Sequence, residues 1–245
     1  MYTRRPLRSL KTPLTVSVYT VKEIYKTVQG EGWHTGRPAV FLRFTGCNLW
    51  TGREQDRSSA ICQFCDTDFI GTDGPNGGKF RTATHLADAV RRVWALPLPD
   101  DAHRGAALAE FAVPTHSNAP YVVCTGGEPL LQLDPDLIDA LHAAGFEIAV
   151  ETNGTQTAPP GIDWICMSPK AGAPVVLTSG NELKLVYHQP LAPPSMFADL
   201  DFDHFFLQPM DGPDVDRFTA DARAWCAAHP QWKMSIQTHK VLGIP

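Results

Sequence analysis

Three of the six cysteines, Cys47, Cys62 and Cys65, fall in one polar stretch with fourteen and two residues between them. Thiolates gathered in this way are ligands for a soft metal ion or for an iron-sulfur cluster. Three is the informative number. A structural zinc ion takes four protein ligands, so a zinc reading needs a fourth group such as His85 or Cys124. A 4Fe-4S cluster held by three thiolates keeps one iron open for another molecule. Thiols that are buried together by coincidence are the third reading, and the spacing alone leaves all three standing. Cys124, Cys166 and Cys226 read as small core residues, the first two in strand-like runs and the last on an apolar helical face.

A second candidate is the turn Thr125-Gly126-Gly127-Glu128-Pro129, which follows the apolar run Tyr121 to Cys124. Two glycines let a backbone approach a ligand and present its N–H and C=O groups, Glu128 brings a carboxylate and Pro129 stiffens the exit. Taken alone, the turn reads equally as an ordinary strand-to-helix connection.

These residues need a scaffold that gathers them. Short runs rich in Val, Ile and Phe alternate with helix-like segments, which predicts a parallel sheet of strand-helix units. Strands are expected at 39–44, 121–124, 146–150, 164–168, 182–187, 204–208 and 233–237. One helix starts near Thr82 or Thr84, with Leu86, Ala89, Val90 and Val93 on its buried face. A second has Asp134 as N-cap, Pro135 at its first position, Leu137, Ile138 and Leu141 inward, and Gly145 past its end. A third spans 215–228, with Val215, Phe218, Ala222, Trp225 and Cys226 inward and Pro230 as the stop. The polar motifs follow directly after the strands, at the carboxyl ends where parallel sheets place their chemistry. Residues 48–61 and the proline-rich 97–120 read as insertions, and 1–18 as a disordered basic extension before a single domain, 19–245.

The composition narrows the function classes. In 245 residues there are 26 acidic and 21 basic side chains, a net charge of −5, and 43% hydrophobic residues. That balance lacks the basic footprint of a nucleic-acid binder. No apolar run reaches the roughly 18 residues of a membrane span. Six cysteines without a secretory leader point to a reducing compartment, the cytoplasm.

The motifs together resemble the radical S-adenosylmethionine superfamily and, within it, the 7-carboxy-7-deazaguanine synthase family. The resemblance is carried by Val28-Gln29-Gly30-Glu31-Gly32, the run from Arg43 through Cys47 to Trp50, Cys65-Asp66-Thr67-Asp68, Cys124 to Pro129, Glu151-Thr152-Asn153-Gly154, Ser168-Pro169-Lys170, Gln208-Pro209-Met210-Asp211 and Gln237-Thr238-His239-Lys240. It extends from about Tyr19 to the last residue. One departure is the fourteen residues between Cys47 and Cys62, where the superfamily usually has three, so the cluster loop is extended.

The resemblance implies a fold, a reaction and roles. The fold is a partial, open β/α barrel with fewer helices than strands. Full eight-fold barrels typically need about 250 residues. Cys47, Cys62 and Cys65 would hold the 4Fe-4S cluster. Phe64, Gly127, Glu128, Ser168, Pro169, Lys170, Gln208, Pro209, Met210 and Asp211 would hold S-adenosyl-L-methionine. The substrate would be 6-carboxy-5,6,7,8-tetrahydropterin, read by Val28, Gln29, Gly30, Glu31, Arg43, Thr125, His239 and the Pro245 carboxylate, with Thr67 on Mg2+. The product would be 7-carboxy-7-deazaguanine, with ammonia released, on the route to queuosine and related deazapurines. A flavodoxin- or ferredoxin-type electron donor and a homodimer would complete the system. An activating enzyme that places a radical on a partner protein's glycine is the alternative inside the superfamily, and a zinc-binding module the alternative outside it.

Overall fold

The computed structural model describes residues 18–98, 117 and 119–244. The expected extension therefore lies outside the described residues apart from Val18, as do Pro245 and most of the proline-rich insertion. Nine strands form one sheet in the order β3-β1-β2-β4-β5-β6-β7-β8-β9. They are β1 (Tyr19–Val28), β2 (Pro38–Phe44), β3 (Gly78–Phe80), β4 (Tyr121–Gly126), β5 (Glu147–Thr152), β6 (Trp164–Met167), β7 (Ser179–Tyr187), β8 (Asp201–Pro209) and β9 (Trp232–Met234). From β2 onward neighbours run parallel, while β1 pairs antiparallel with both β2 and β3. The ends of the sheet, β3 and β9, do not pair with each other, so the barrel is partial and open.

Helices α1 (Ala83–Trp94), α2 (Pro135–Ala143), α3 (Val215–Ala228) and the short α4 (Thr238–Leu242) accompany these nine strands. The Thr82 side chain caps α1 by accepting from the His85 N–H, and Asp134 caps α2 by accepting from Leu137. Both helices press their apolar stripes on the outer face of the sheet, where Leu86, Val90, Leu137 and Leu141 are fully buried with Val40, Leu42 and Ile148. Each such side chain contributes about 1.5–3 kcal/mol by leaving water, and a change such as Leu137→Ala is expected to cost about 2–5 kcal/mol. A second outer cluster joins α3 to β7, β8 and β9 through Ala222, Leu183, Leu185, Leu207 and Trp232. No described helix is long and apolar enough to cross a membrane.

The structure corrects several expectations. Strands β1 and β3 were not expected, because β1 interleaves Lys22, Glu23 and Lys26 among its apolar residues and reads as mixed polar chain. The expected strand 233–237 is Trp232–Met234: the chain leaves the sheet at Ser235 and turns into α4. Val215 is 37% exposed rather than inward, since only Ala222 of α3 is fully buried, with Trp225 and Cys226 half-buried beside it.

The inner face is different in kind. Its apolar cluster is small, made of Ala39, Tyr121, Val123 and Ala149 with Phe41 and Trp164 against them. Beyond it, alternate positions of β2, β4 and β5 carry Arg43, Thr125 and Glu151, and β7 and β8 add Lys184 and Gln208, all of which line cavities. Strand alternation thus separates an outer core from an inner polar chamber.

Candidate active site

The chamber is assembled from turns at the carboxyl ends of the strands. The turn after β2 and the turn after β4 interlock: the Glu128 N–H donates to the Gly46 carbonyl at 2.9 Å. A Cβ on Gly127 would stand 2.2 Å from that same carbonyl oxygen, and Gly126 has φ +145° with the β2 backbone against it. Only glycine fits such an approach. Glu128, expected among the cofactor contacts, is fully buried beneath the cavities and lines neither. Its carboxylate accepts from Leu130 N at 3.0 Å, Thr152 Oγ1 at 2.7 Å and Asn153 N at 2.8 Å.

The long loop between Cys47 and Cys62 has a built interior. Leu49, Trp50 and Phe69 are buried, and Trp50 meets Phe69 edge-on at 5.7 Å. A 3-10 turn at Glu54–Ser59 positions Arg57, whose guanidinium covers the Trp50 ring at 4.2 Å and donates to the carbonyls of Gln63 and Cys65, each at 3.0 Å. Lys22 of β1 then ties down the following segment, contacting Asp68 at 2.8 Å and Asp73 at 2.9 Å.

Two cavities result, side by side. Cys47, Cys62, Phe64, Cys65, Gly127, Ser168, Lys170, Gln208, Pro209, Met210 and Asp211 line the first. Pro169 is buried and outside its lining. The second is lined by Val28, Gln29, Gly30, Glu31, Arg43, Thr125 and His239. Apart from Glu31, which lines both, and Glu128 and Pro169, which line neither, the expected cofactor and substrate residues among those described divide between two neighbouring chambers. Thr67, Asp66, Glu31, Glu151 and Gln237 face both.

The three thiols of the first cavity differ in their electrostatics. The hydrogen bond from Cys62 is the main cause that draws the Cys65 thiol down to about 6, with Lys170 acting in the same direction. Cys62, as the donor, is pushed up, and burial raises Cys47. The Lys170 ammonium donates to Ser168 O at 2.6 Å and to its Oγ at 2.7 Å, and burial lowers its pKa. Among the described residues no three His, Cys, Asp or Glu side chains form a group able to hold a single metal ion. Cys47, Cys62 and Cys65 all line this one cavity, a donor set that would suit a 4Fe-4S cluster held by three thiolates.

In the second cavity Arg43 donates to Glu23 Oε1 at 2.8 Å and to Tyr25 OH at 2.9 Å, so its fork is held in the plane of the inner face. The N–H and C=O of Gln29 are both bonded within the chain, to Arg37 and Gly36, and the Gly30 carbonyl accepts from Thr238. The Gln29 carbonyl keeps a second lone pair for a ligand, whereas the Gly30 carbonyl accepts both the N–H and the hydroxyl of Thr238. A Cβ on Gly30 would meet His239 Nδ1 at 2.3 Å, so glycine lets the ring lie across this turn. Burial lowers the His239 pKa. Lys240 spans the rim, 2.8 Å from Asp66 and 2.5 Å from Asp211, joining the cluster loop to the loop after β8.

Sequence reasoning missed Lys184 and the part played by Glu151 and Gln237. Burial opposes ionisation of Glu31, but the Lys184 ammonium and the Gln237 amide outweigh it and hold the carboxyl at about 2. Gln208 and Gln237 donate to Glu31 Oε1 at 3.0 and 2.9 Å. The signal was present in the run Glu182-Leu183-Lys184-Leu185: if both leucines face the helical layer, both charges must face the chamber.

An open β/α barrel whose inner face carries polar residues, with paired cavities at the carboxyl ends of its parallel strands, is the arrangement in which barrel enzymes place their active sites. No protein-family model matches the chain. It is 61% identical over 227 residues to the 7-carboxy-7-deazaguanine synthase of Caulobacter vibrioides, which covers 93% of this chain and 99% of that protein. It is 57% identical over 227 residues to the synthase of the same name from Bordetella pertussis, with the same coverage. The crystal structure of QueE from Escherichia coli is similar with a TM-score of 0.61 and 25% identity, covering 90% of this chain and 94% of the other. The chain belongs to the 7-carboxy-7-deazaguanine synthase family.

Proposed function

We propose that the chain is a radical S-adenosylmethionine lyase that converts 6-carboxy-5,6,7,8-tetrahydropterin to 7-carboxy-7-deazaguanine and ammonia. The observation that carries this reading is the pair of adjoining cavities, one lined by three thiols and one by Arg43, that share the Thr67 border. When bound, the cluster and S-adenosyl-L-methionine supply a 5'-deoxyadenosyl radical able to remove hydrogen from C6 of the substrate.

The chain's own residues bind, orient and exclude water. Cys47, Cys62 and Cys65 offer three thiolates. Ser168, Lys170, Gln208 and Asp211 line the first cavity with donors and acceptors for a charged amino-acid moiety, and Phe64 offers a face for a base. Arg43 suits the substrate carboxylate, while Glu31, held by three protein donors, keeps acceptor capacity for N–H groups of a pterin edge. Thr67 supplies a hydroxyl for Mg2+ next to the carboxylate site. Alignment across the border is the main contribution, because a reactive radical is useful only if one C–H bond is in reach. A homodimer and a flavodoxin- or ferredoxin-type donor are parts of the same proposal.

Anaerobic incubation of reconstituted protein with the tetrahydropterin, S-adenosyl-L-methionine, Mg2+ and a one-electron reductant (dithionite or reduced flavodoxin) tests it. Formation of 7-carboxy-7-deazaguanine and ammonia is the expected result. A protein with full iron content that leaves the tetrahydropterin unchanged would overturn the reading.

A further inference from the structure

Three charged side chains meet where the cavities touch. The Lys184 ammonium lies 2.8 Å from Glu31 Oε2, 3.0 Å from Glu151 Oε2 and 3.1 Å from Glu151 Oε1. Its three N–H donors are matched by these acceptors. The order of exposure is informative. The lysine side chain is 4% exposed, whereas those of Glu31 and Glu151 are 18% and 19% exposed. The acids stand forward and the cation stands behind them. Glu31 comes from the turn after β1 and Glu151 from the end of β5, so no local backbone geometry fixes one relative to the other. Gln29 adds a second link, donating to Glu151 Oε1 at 3.1 Å while accepting from the Glu31 N–H at 3.2 Å.

We propose that Lys184 is a positioning residue, which sets the spacing of the Glu31 and Glu151 carboxylates at the border of the two cavities and thereby the affinity for a pterin. The inference rests on the proposed pterin substrate. Other charged or titratable groups face the trio from every side: Cys166 of β6, Glu182 of β7, Lys170 from the loop after β6 and His239 of α4. Without the lysine, two carboxylates would share a partly buried site with no cation between them. One would then take up a proton, because adjacent like charges out of water cannot both persist.

The test uses 6-carboxypterin, a fluorescent aromatic analogue that does not turn over, bound at equilibrium to reconstituted holoenzyme carrying S-adenosyl-L-methionine. Lys184→Met is expected to weaken binding by about tenfold or more, the usual result of removing one partner from a buried charge group. Its affinity should also acquire a pH dependence near neutrality steeper than that of the wild type, with iron content unchanged. Lys184→Arg, which keeps the charge, should restore the wild-type pH profile. If Lys184→Met does not fold, Glu31→Gln/Lys184→Met removes one charge of each sign. That double variant should bind no more than about threefold more weakly than Glu31→Gln alone, because residues acting through each other are not additive. Lys184→Met binding with wild-type affinity and pH profile, or a double variant whose losses add in full, would overturn the inference. Absence of 6-carboxypterin binding to the wild type would strike the proposed function instead.

Discussion

Oε2 of Glu128 accepts the backbone N–H of Asn153 at 2.8 Å, and this contact fastens the turn after β4 to the turn after β5. Its backbone N–H meanwhile fastens the same turn to Gly46, next to Cys47. One buried residue thus sets the relative height of three turns that border the chamber.

Glu128→Ala leaves the donors of Leu130, Thr152 and Asn153 without their acceptor. A loss of about 3 kcal/mol in folding stability is expected, since each buried donor left unmade costs about 1–3 kcal/mol and partial relaxation recovers some of it. The denaturation midpoint in urea measures this. A midpoint equal to wild type would show that water replaces the carboxylate.

Replacing Cys47, Cys62 or Cys65 by alanine is expected to abolish stable iron and sulfide binding in each case, while Cys226→Ala keeps it. Arg57→Ala should lie between, with slower reconstitution, because the arginine holds the Cys65 carbonyl but supplies no ligand. Iron and sulfide analysis after anaerobic reconstitution decides. Full iron in any of the three thiol variants would remove that cysteine from the ligand set.

Activity is expected to need a divalent cation and to fall at least about tenfold in Thr67→Ala, with partial recovery at high Mg2+, as a hard cation loses one oxygen ligand of several. Titration of Mg2+ into chelator-treated wild type and variant gives the readout. Undiminished turnover with no divalent cation present would refute the requirement.

Glu182 gives a pH dependence of stability. Burial, partly offset by Lys184, raises its carboxyl from the ordinary 4.5 to about 7. Between those values the folded chain binds more protons at this site than the unfolded chain, so this group's contribution to stability falls as pH rises from 4.5 to about 7 and then levels. Glu182→Gln removes that component. Denaturation midpoints across this window should decline less steeply in the variant than in wild type, and parallel curves would contradict the assignment.

The outer layer was legible in the sequence because it obeys simple periods: α2 shows its cap, proline, apolar stripe and terminal glycine in order, and β4 and β8 are apolar runs. Strand β1 was not, because its Lys22, Glu23, Tyr25 and Val28 line the polar chamber and Lys22 finds acids from a distant loop. Motif residues of the site were readable one by one, since most sit in or just past the carboxyl end of a strand. Their division between two cavities was not, because Thr67 and Glu31 acquire a common border only when the cluster loop and the turn after β1 are brought together. Lys184 lay inside a strand whose pattern spoke only of alternation, and its partners are supplied by β5 and the turn after β1.

Five side chains, Glu31, Asp66, Thr67, Glu151 and Gln237, form a wall common to both cavities. A ligand that orders this wall from one side changes what a second ligand meets on the other. Thermodynamic reciprocity then requires each occupant to alter the other's affinity by the same factor. An inhibitor's dissociation constant for either cavity is therefore defined only when the occupancy of its neighbour is stated, and compounds ranked on the empty protein will be reordered once that neighbour is filled.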